Sequence, residues 1–271
     1  MKKALVWMIC IILVISVAFV SLLTVFFKED VLSNEEVELL RAEYPYYDET
    51  LPDVSMTATV NDIRKAVKKN DTFIYCEVMG EPLIEEVYIM SGVPEIDEKL
   101  YKDIEQGFLR YQYPVKIISD TEGIFQKGQE ISFCYGIIFQ EYSPSPKAGD
   151  KIIIPISVGL GENEGIFFSD AIGYYSVTEK GYVMSAFKEN STKVYSGKKA
   201  DNLMKTLVKT DEELSFYKEL KKYEFDIYYG EENITDITAF KAKVTNELVP
   251  KNRVMIESLK ELTVINDNAD K

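Results

Sequence analysis

Among side chains able to do chemistry, one is missing: the chain contains no histidine. Ser-His-Asp and Cys-His nucleophiles, His-ligated zinc and a histidine pH switch are thereby excluded. A hydrolase would need a Ser-Lys dyad, paired carboxylates or a bare cysteine. Three S-x-x-K matches occur, at Ser185-Lys188, Ser196-Lys199 and Ser215-Lys218. None is joined by the S-D-N and K-T-G elements that accompany the motif in penicillin-recognising enzymes. The first also falls in a strand pattern, where residues three apart point to opposite faces. All three read as chance. Neighbouring carboxylates such as Glu35-Glu36, Glu85-Glu86 and Glu231-Glu232 read as solvated surface.

The Gly-rich stretch is Gly159 to Gly165, GLGENEG. It is no phosphate cradle, because Glu162 and Glu164 would repel the ligand and no helix start follows. Glu162, Asn163 and Glu164 are the candidate ligand residues, as oxygen donors to calcium, whose sites take about six to eight oxygens. Without a D-x-[DN]-x-[DN]-G loop, the plainer reading is a hairpin turn. No cofactor and no catalytic residue is assigned. Of the cysteines, Cys10 lies in the apolar N-terminal run, Cys76 shares a face with Ile74 and Val78, and Cys134 sits with Ser132 on the more polar side of its strand. A Cys76 to Cys134 bridge needs Cα atoms within about 7 Å and converging Cβ vectors, so sequence leaves it open.

Composition narrows the partners. The formal charge is -14, from 31 basic and 45 acidic side chains. Nucleic-acid and anionic-lipid surfaces are bound through clustered Lys and Arg, so both are disfavoured. Ala4 to Phe27 carries no charge, with Lys2 and Lys3 before it and Lys28-Glu29-Asp30 after it. About 20 apolar residues cross a bilayer, and this run exceeds the h-region of a cleaved signal peptide. An uncleaved transmembrane signal anchor over residues 1–28 is expected. The positive-inside rule then leaves everything after it outside the cytoplasm, as a single-pass protein of the cell membrane.

The elements that must position these residues alternate short apolar runs with turn signals between Gln112 and Phe187: Tyr113 to Ser119, Ile131 to Ile138, Lys151 to Val158, Gly165 to Ser169, Gly173 to Val177 and Gly181 to Phe187. This spacing predicts an all-β barrel or sandwich. Ile131, Phe133, Tyr135 and Ile137 fall on one face, and Ser132 and Cys134 on the other, so that strand is expected to be half-buried. Pro155 predicts an edge strand or a bulge. Ser143-Pro144-Ser145-Pro146 reads as a protruding connection and a weak binding candidate.

Around this centre, Ser33 and Glu36 form a capping box that opens a short helix. Tyr44 to Ser55 reads as a linker or strap whose tyrosines pack on the barrel. A helix from Thr59 to Lys69 buries Ile63, Ala66 and Val67, and a strand from Thr72 to Met79 turns Ile74, Cys76 and Val78 inward. The insertion from Gly80 to Arg110 is expected to hold an amphipathic helix over Asp97 to Leu109. Beyond Lys198 the period becomes helical, with breaks near Thr210, at Tyr229-Gly230 and at Pro250.

The order of a short helix ending at Asp71, then FIYCEV, YPVKIISDTEGIFQKGQEISFCYG, GDKIIIPISVG, GYYSV and GYVM resembles a diffuse class of single-pass or lipid-anchored surface proteins of low-GC Gram-positive bacteria. The resemblance covers about Ala58 to Phe187. It implies an OB-like five-stranded barrel and no catalytic residues. The reading is therefore an α+β chain: a transmembrane helix (1–28), a juxtamembrane helix and linker (29–57), a small OB-like antiparallel β-barrel with a helical insertion and flanking helices (58–197), and a C-terminal helical tail (198–271). Its expected function is a cell-envelope binding or interaction module working with a protein partner or surface ligand. The alternatives are a carboxylate-dependent hydrolase of wall or peptide substrates and an accessory subunit of a transport or secretion complex.

Overall fold

The computed structural model describes residues 30–47, 63–87, 107–136, 140, 143–170, 173–187, 194–230 and 236–269, with side chains to 261. The run read as the anchor and the segment 97–106 lie outside these residues, and among the described residues no helix is long and apolar enough to cross a membrane.

Five strands close into a barrel: β1 (Thr72–Val78), β3 (Phe108–Asp120), β4 (Glu130–Tyr135), β5 (Lys151–Val158) and β6 (Phe167–Ser169). The spatial order is β1-β3-β4-β6-β5, and β5 returns to pair with β1. All pairings are antiparallel except β4 with β6. Closure leaves the barrel with no open edge of its own, although β2 (Leu83–Val87) extends the sheet from β3, and β7 (Tyr175–Val177) and β8 (Val183–Ser185) extend it from β5. The interior is filled by Ile74, Cys76, Val115, Ile117, Ile131, Phe133, Ile152, Ile154 and Phe167, all buried and in one cluster. Alternation along each strand produces this filling, and aromatic pairs such as Tyr113 stacked on Phe133 at 5.3 Å add to it.

Pro155 needs correction. Its strand is central, flanked by β1 on one side and by β7 and β6 on the other. Ile156 turns its carbonyl to β1, accepting from the Asp71 N–H at 2.9 Å, so Pro155 faces the opposite neighbour. There β7 pairs only as far as Ile153 and β6 begins at Ser157, so no ladder bond is asked of the proline.

A second apolar cluster lies on the outside of β1, β5, β7 and β8. There α2 (Ile63–Lys69) brings Ile63, Ala66 and Val67, and α3 (Ala200–Thr206) brings Ala200, Leu203 and Met204, against Phe73, Ile153, Tyr175 and Val183. The N-terminal α1 (Asn34–Leu40) has the predicted capping box and is held to the β8 end of the sheet. Leu32 N–H donates to the Gly197 carbonyl at 2.9 Å and Tyr47 N–H to the Ala186 carbonyl at 2.7 Å. Of the strap read over Tyr44 to Ser55, residues 48–55 lie outside the described residues; Tyr44, Tyr46 and Tyr47 are half-buried, and Tyr47 meets Phe187 edge-on at 6.2 Å.

The remaining helices are α4 (Asp211–Tyr229), α5 (Ile237–Lys243) and α6 (Val249–Ala269). Phe225 of α4, Phe240 of α5, and Val244 and Leu248 join the barrel cluster itself, so the tail packs on the barrel. Thr210 caps α4 with Glu213 in a capping box, and Gly230 ends it in the left-handed region at φ 70°. The break expected at Pro250 does not occur. A π-helical turn over Val244–Leu248 leads directly into α6, with the Val249 N–H bonded to the Val244 carbonyl, so the proline follows a widened turn rather than an ordinary α-helical one.

Two further expectations are corrected. Phe108 and Leu109 belong to β3, paired with Val87 and Glu86, because the end of the insertion extends a hairpin with β2 rather than a helix. Ser143, Pro144 and Pro146 are buried, so the connection lies on the barrel, and Tyr113 reaches the Ser145 hydroxyl at 3.4 Å.

Candidate functional site

The Gly-rich loop joins β5 to β6 as a hairpin, with a 3-10 turn at Gly161–Asn163. Glu162 and Asn163 are exposed. Glu164 is engaged by cations of the tail: Lys243 Nζ stands 2.9 Å from Oε1, Lys251 pairs with Oε2, and Tyr229 donates to Oε1 at 2.8 Å. Partial burial pushes the Glu164 carboxyl up, but the donors from Lys251, Lys243 and Tyr229 outweigh it and bring it down to about 2. The glycines admit helices. A Cβ on Gly161 would meet the Tyr228 ring at 2.7 Å, and one on Gly165 would meet Lys251 Cβ at 2.8 Å, with both residues at positive φ. The loop is thus a seat for α4 and α6, and its three candidate ligand residues do not converge on one point. Among the described residues no group of three His, Cys, Asp or Glu side chains is placed to hold a metal.

The most buried ionisable cluster lies where the start of β1 meets α4. Asp71 accepts from Lys221 Nζ at 2.8 Å and from the Tyr217 hydroxyl at 2.6 Å on Oδ1, and from the Val158 N–H at 2.5 Å on Oδ2. Lys221 also pairs with Glu224 at 2.7 Å. Burial opposes the charge on Lys221, but Asp71 and Glu224 prevail and raise its pKa. Lys209 is the converse case. Burial lowers its pKa despite Glu122 and Asp71, and its Nζ donates to the Asp71 carbonyl at 3.0 Å. A lysine with a lowered pKa is what a nucleophilic amine requires. This one is enclosed, with Glu122 at 3.8 Å and the Tyr217 ring 4.6 Å away, and serves to tie the tail to the barrel. Asp120 is similar: its carboxylate accepts the N–H groups of Glu122, Gly123, Ile124 and Phe125 and so shapes the β3–β4 turn.

A polar chain also runs across the outer face of β2, β3 and β4, beneath α6. Arg110 Nε lies 3.0 Å from Glu85, Gln112 Nε2 donates to Glu85 at 3.2 Å, and the Ser132 hydroxyl donates to Gln112 at 3.1 Å. At its end is Asn252 of α6. Ser132 N–H donates to Asn252 Oδ1 at 2.8 Å, and Asn252 Nδ2 donates to the carbonyls of Ser132 at 3.2 Å and Gly165 at 2.8 Å. The parallel pairing of β4 with β6 begins only at Cys134, so these backbone groups face an unzipped seam. Asn252 closes it as a strand residue would. The half-buried reading of β4 is therefore wrong on its second face: Ser132 and Cys134 are as buried as Ile131. Cys76 and Cys134 are both free thiols. Burial pushes Cys134 up to about 12 against the opposing pull of Arg110, and Cys76 higher still, so neither is a nucleophile at neutral pH.

Sequence reading missed Asn252. The available signal was an asparagine set between Leu248 and Ile256 on one helical face, since a polar residue in an apolar stripe implies buried partners. The serines of the S-x-x-K matches are otherwise occupied. The Ser185 hydroxyl bonds the Phe187 backbone, the Ser196 hydroxyl accepts from Arg41 at 3.0 Å, and Ser215 is exposed.

Compared with known proteins, the chain matches no family model, and neither the curated proteins nor the solved structures give a match.

Proposed function

We propose that this chain is a non-enzymatic interaction module held at the outer face of the cytoplasmic membrane by Ala4 to Phe27, in the manner of the Gram-positive surface proteins it resembles. An OB-like barrel serves as its scaffold. In support, the five barrel strands follow the spatial order first-second-third-fifth-fourth, with the third and fifth parallel.

One observation carries the reading: the barrel interior is packed with apolar side chains, and the buried carboxylate Asp71 is consumed by Lys221, Tyr217 and the backbone of Val158. A carboxylate-dependent hydrolase needs two acids converging on an open cleft with their pKa values held apart. A chain of formal net charge -14 whose barrel centre is filled with apolar side chains supports binding over chemistry.

The test is protease treatment of intact protoplasts expressing the full chain, followed by crosslinking in the same membranes. The expected result is digestion of the domain from outside and capture of a distinct envelope protein or wall polymer. Protection of the domain while an external control protein is cut would overturn the location. Hydrolysis of wall peptides by the purified chain would overturn the non-enzymatic reading.

A further inference from the structure

On α4, Tyr217, Lys221 and Phe225 recur every four residues and face the molecule. At 100° per residue, Phe216, Leu220, Tyr223 and Ile227 form a second stripe about 130° around the helix from that buried face. Their spacing of four, three and four residues is that of a helix-packing seam. The stripe is open: Tyr223 is 66% exposed, Ile227 58% and Phe216 40%, although the ammonium of Lys68 lies 3.9 Å over the Phe216 ring. Large apolar side chains aligned at the surface of a helix mark a contact face rather than random exposure.

The flanks of the stripe select its occupant. Glu212, Glu219 and Asp226 are exposed along one side, and Glu224 lies along the other beside Lys221. A second copy of α4 laid on this seam would bring acid against acid, which destabilises a helix pair. The chain's own segment 97–106 carries four acids, Asp97, Glu98, Asp103 and Glu105, against two lysines, and its net negative charge meets the same repulsion. An anionic bilayer is repelled too. We infer that the Phe216-Leu220-Tyr223-Ile227 face of α4 docks an amphipathic helix of another protein, whose apolar seam is bordered by lysine or arginine.

This deepens the binding reading above and rests on it only in taking the chain to act through a partner. The test uses the full chain in zwitterionic lipid nanodiscs, with empty nanodiscs as blank. The probe is a fluorescent 21-residue helical peptide with leucine at seam positions and lysine at flanking positions. Its twin carries glutamate in place of lysine. The lysine peptide is expected to bind at least tenfold more tightly than its twin, since helix-in-groove recognition joins apolar anchors to charge complementarity. The double variant Tyr223→Ser with Ile227→Ser should lose at least tenfold in affinity with unchanged thermal unfolding, as both positions are exposed. The double variant Glu219→Lys with Asp226→Lys should reverse the preference between the peptides. Equal binding of both peptides, unaltered binding by the serine variant, or self-association of the chain lost in that variant would each overturn the inference. If crosslinks in intact membranes still form through other positions, the general binding reading stands while this face is ruled out.

Discussion

At the scale of single residues, stability rests on a few side chains that complete other groups' hydrogen bonding. Asn252→Ala leaves the Ser132 N–H, the Ser132 carbonyl and the Gly165 carbonyl buried without their partner. With an unpaired buried polar group costing roughly 1 to 3 kcal/mol, the loss should be about 3 kcal/mol or more by denaturant unfolding. Asn252→Asp should not rescue it, because a carboxylate accepts from the Ser132 N–H but faces two carbonyls. A loss under about 1 kcal/mol would mean that water fills the seam equally well. Glu164 gives a pH signature. Its carboxyl moves from the ordinary value of 4.5 down to about 2 in the folded chain, against burial and through Lys251, Lys243 and Tyr229. A lowered folded pKa contributes stability that is complete above the unfolded value and lost as pH falls toward the folded one. Wild type should therefore exceed Glu164→Gln in stability by a constant amount above about pH 5, with the gap closing toward about pH 2. Paired acid titrations by circular dichroism would measure this, and a gap constant across that window would refute it.

At the scale of elements, the loop Gly159 to Gly165 shows why a motif can be noticed and its purpose missed. Gly161 and Gly165 serve the close approach of α4 and α6, contacts made by residues more than sixty positions away. Gly165→Ala should cost more than Gly181→Ala, although both sit at positive φ. Only Gly165 meets atoms of α6, whereas nothing lies within 4 Å of a Cβ on Gly181. The backbone term is about 1 to 2 kcal/mol in each, so an excess at Gly165 measures the docking of α6, and equal costs would deny it. The strands and turns of the barrel were legible because alternation and glycine placement are local, and Ser33 with Glu36 announced α1 for the same reason. The second buried face of β4 was not, since Ser132 and Cys134 look polar until α6 covers them. The insertion misled at Phe108 because Leu100, Ile104 and Phe108 match a helical period, while the pairing of Val87 with Phe108 is long-range. Of the loop candidates, Glu164 stands out in sequence only for its oxygen atoms, whereas its partners Lys243 and Lys251 lie in the tail.

At the scale of the whole molecule, both ends of the described chain are tied to the barrel, and the tie at the N-terminal end governs how the domain is held. Asp30 accepts from the Tyr182 hydroxyl at 2.7 Å and pairs with Lys199 at 3.2 Å. Arg41 donates to the Ser185 carbonyl at 2.8 Å and the Ser196 hydroxyl at 3.0 Å, and its guanidinium lies 3.8 Å over the Tyr46 ring. The N-terminal segment 30–47, here the strap, thus starts within three residues of Phe27, and under the proposed anchoring it sets which face of the domain meets the membrane. Arg41→Ala removes the hydrogen bonds and the cation-π contact together. Because the strap adds little to the two apolar clusters, the barrel's thermal transition should fall only slightly. The strap itself should open far more often, since local opening follows local contacts rather than global stability. Chymotrypsin should then cut after Tyr46 or Tyr47, Tyr44 being shielded by Pro45, at least about tenfold faster in the variant, the change that losing roughly 1.4 kcal/mol of local protection produces. Mass spectrometry of the early fragments reads this directly. Cleavage no faster than wild type would mean that Leu32, Val37 and Tyr47 hold the strap without Arg41, whereas a collapsed thermal transition would make the strap part of the core.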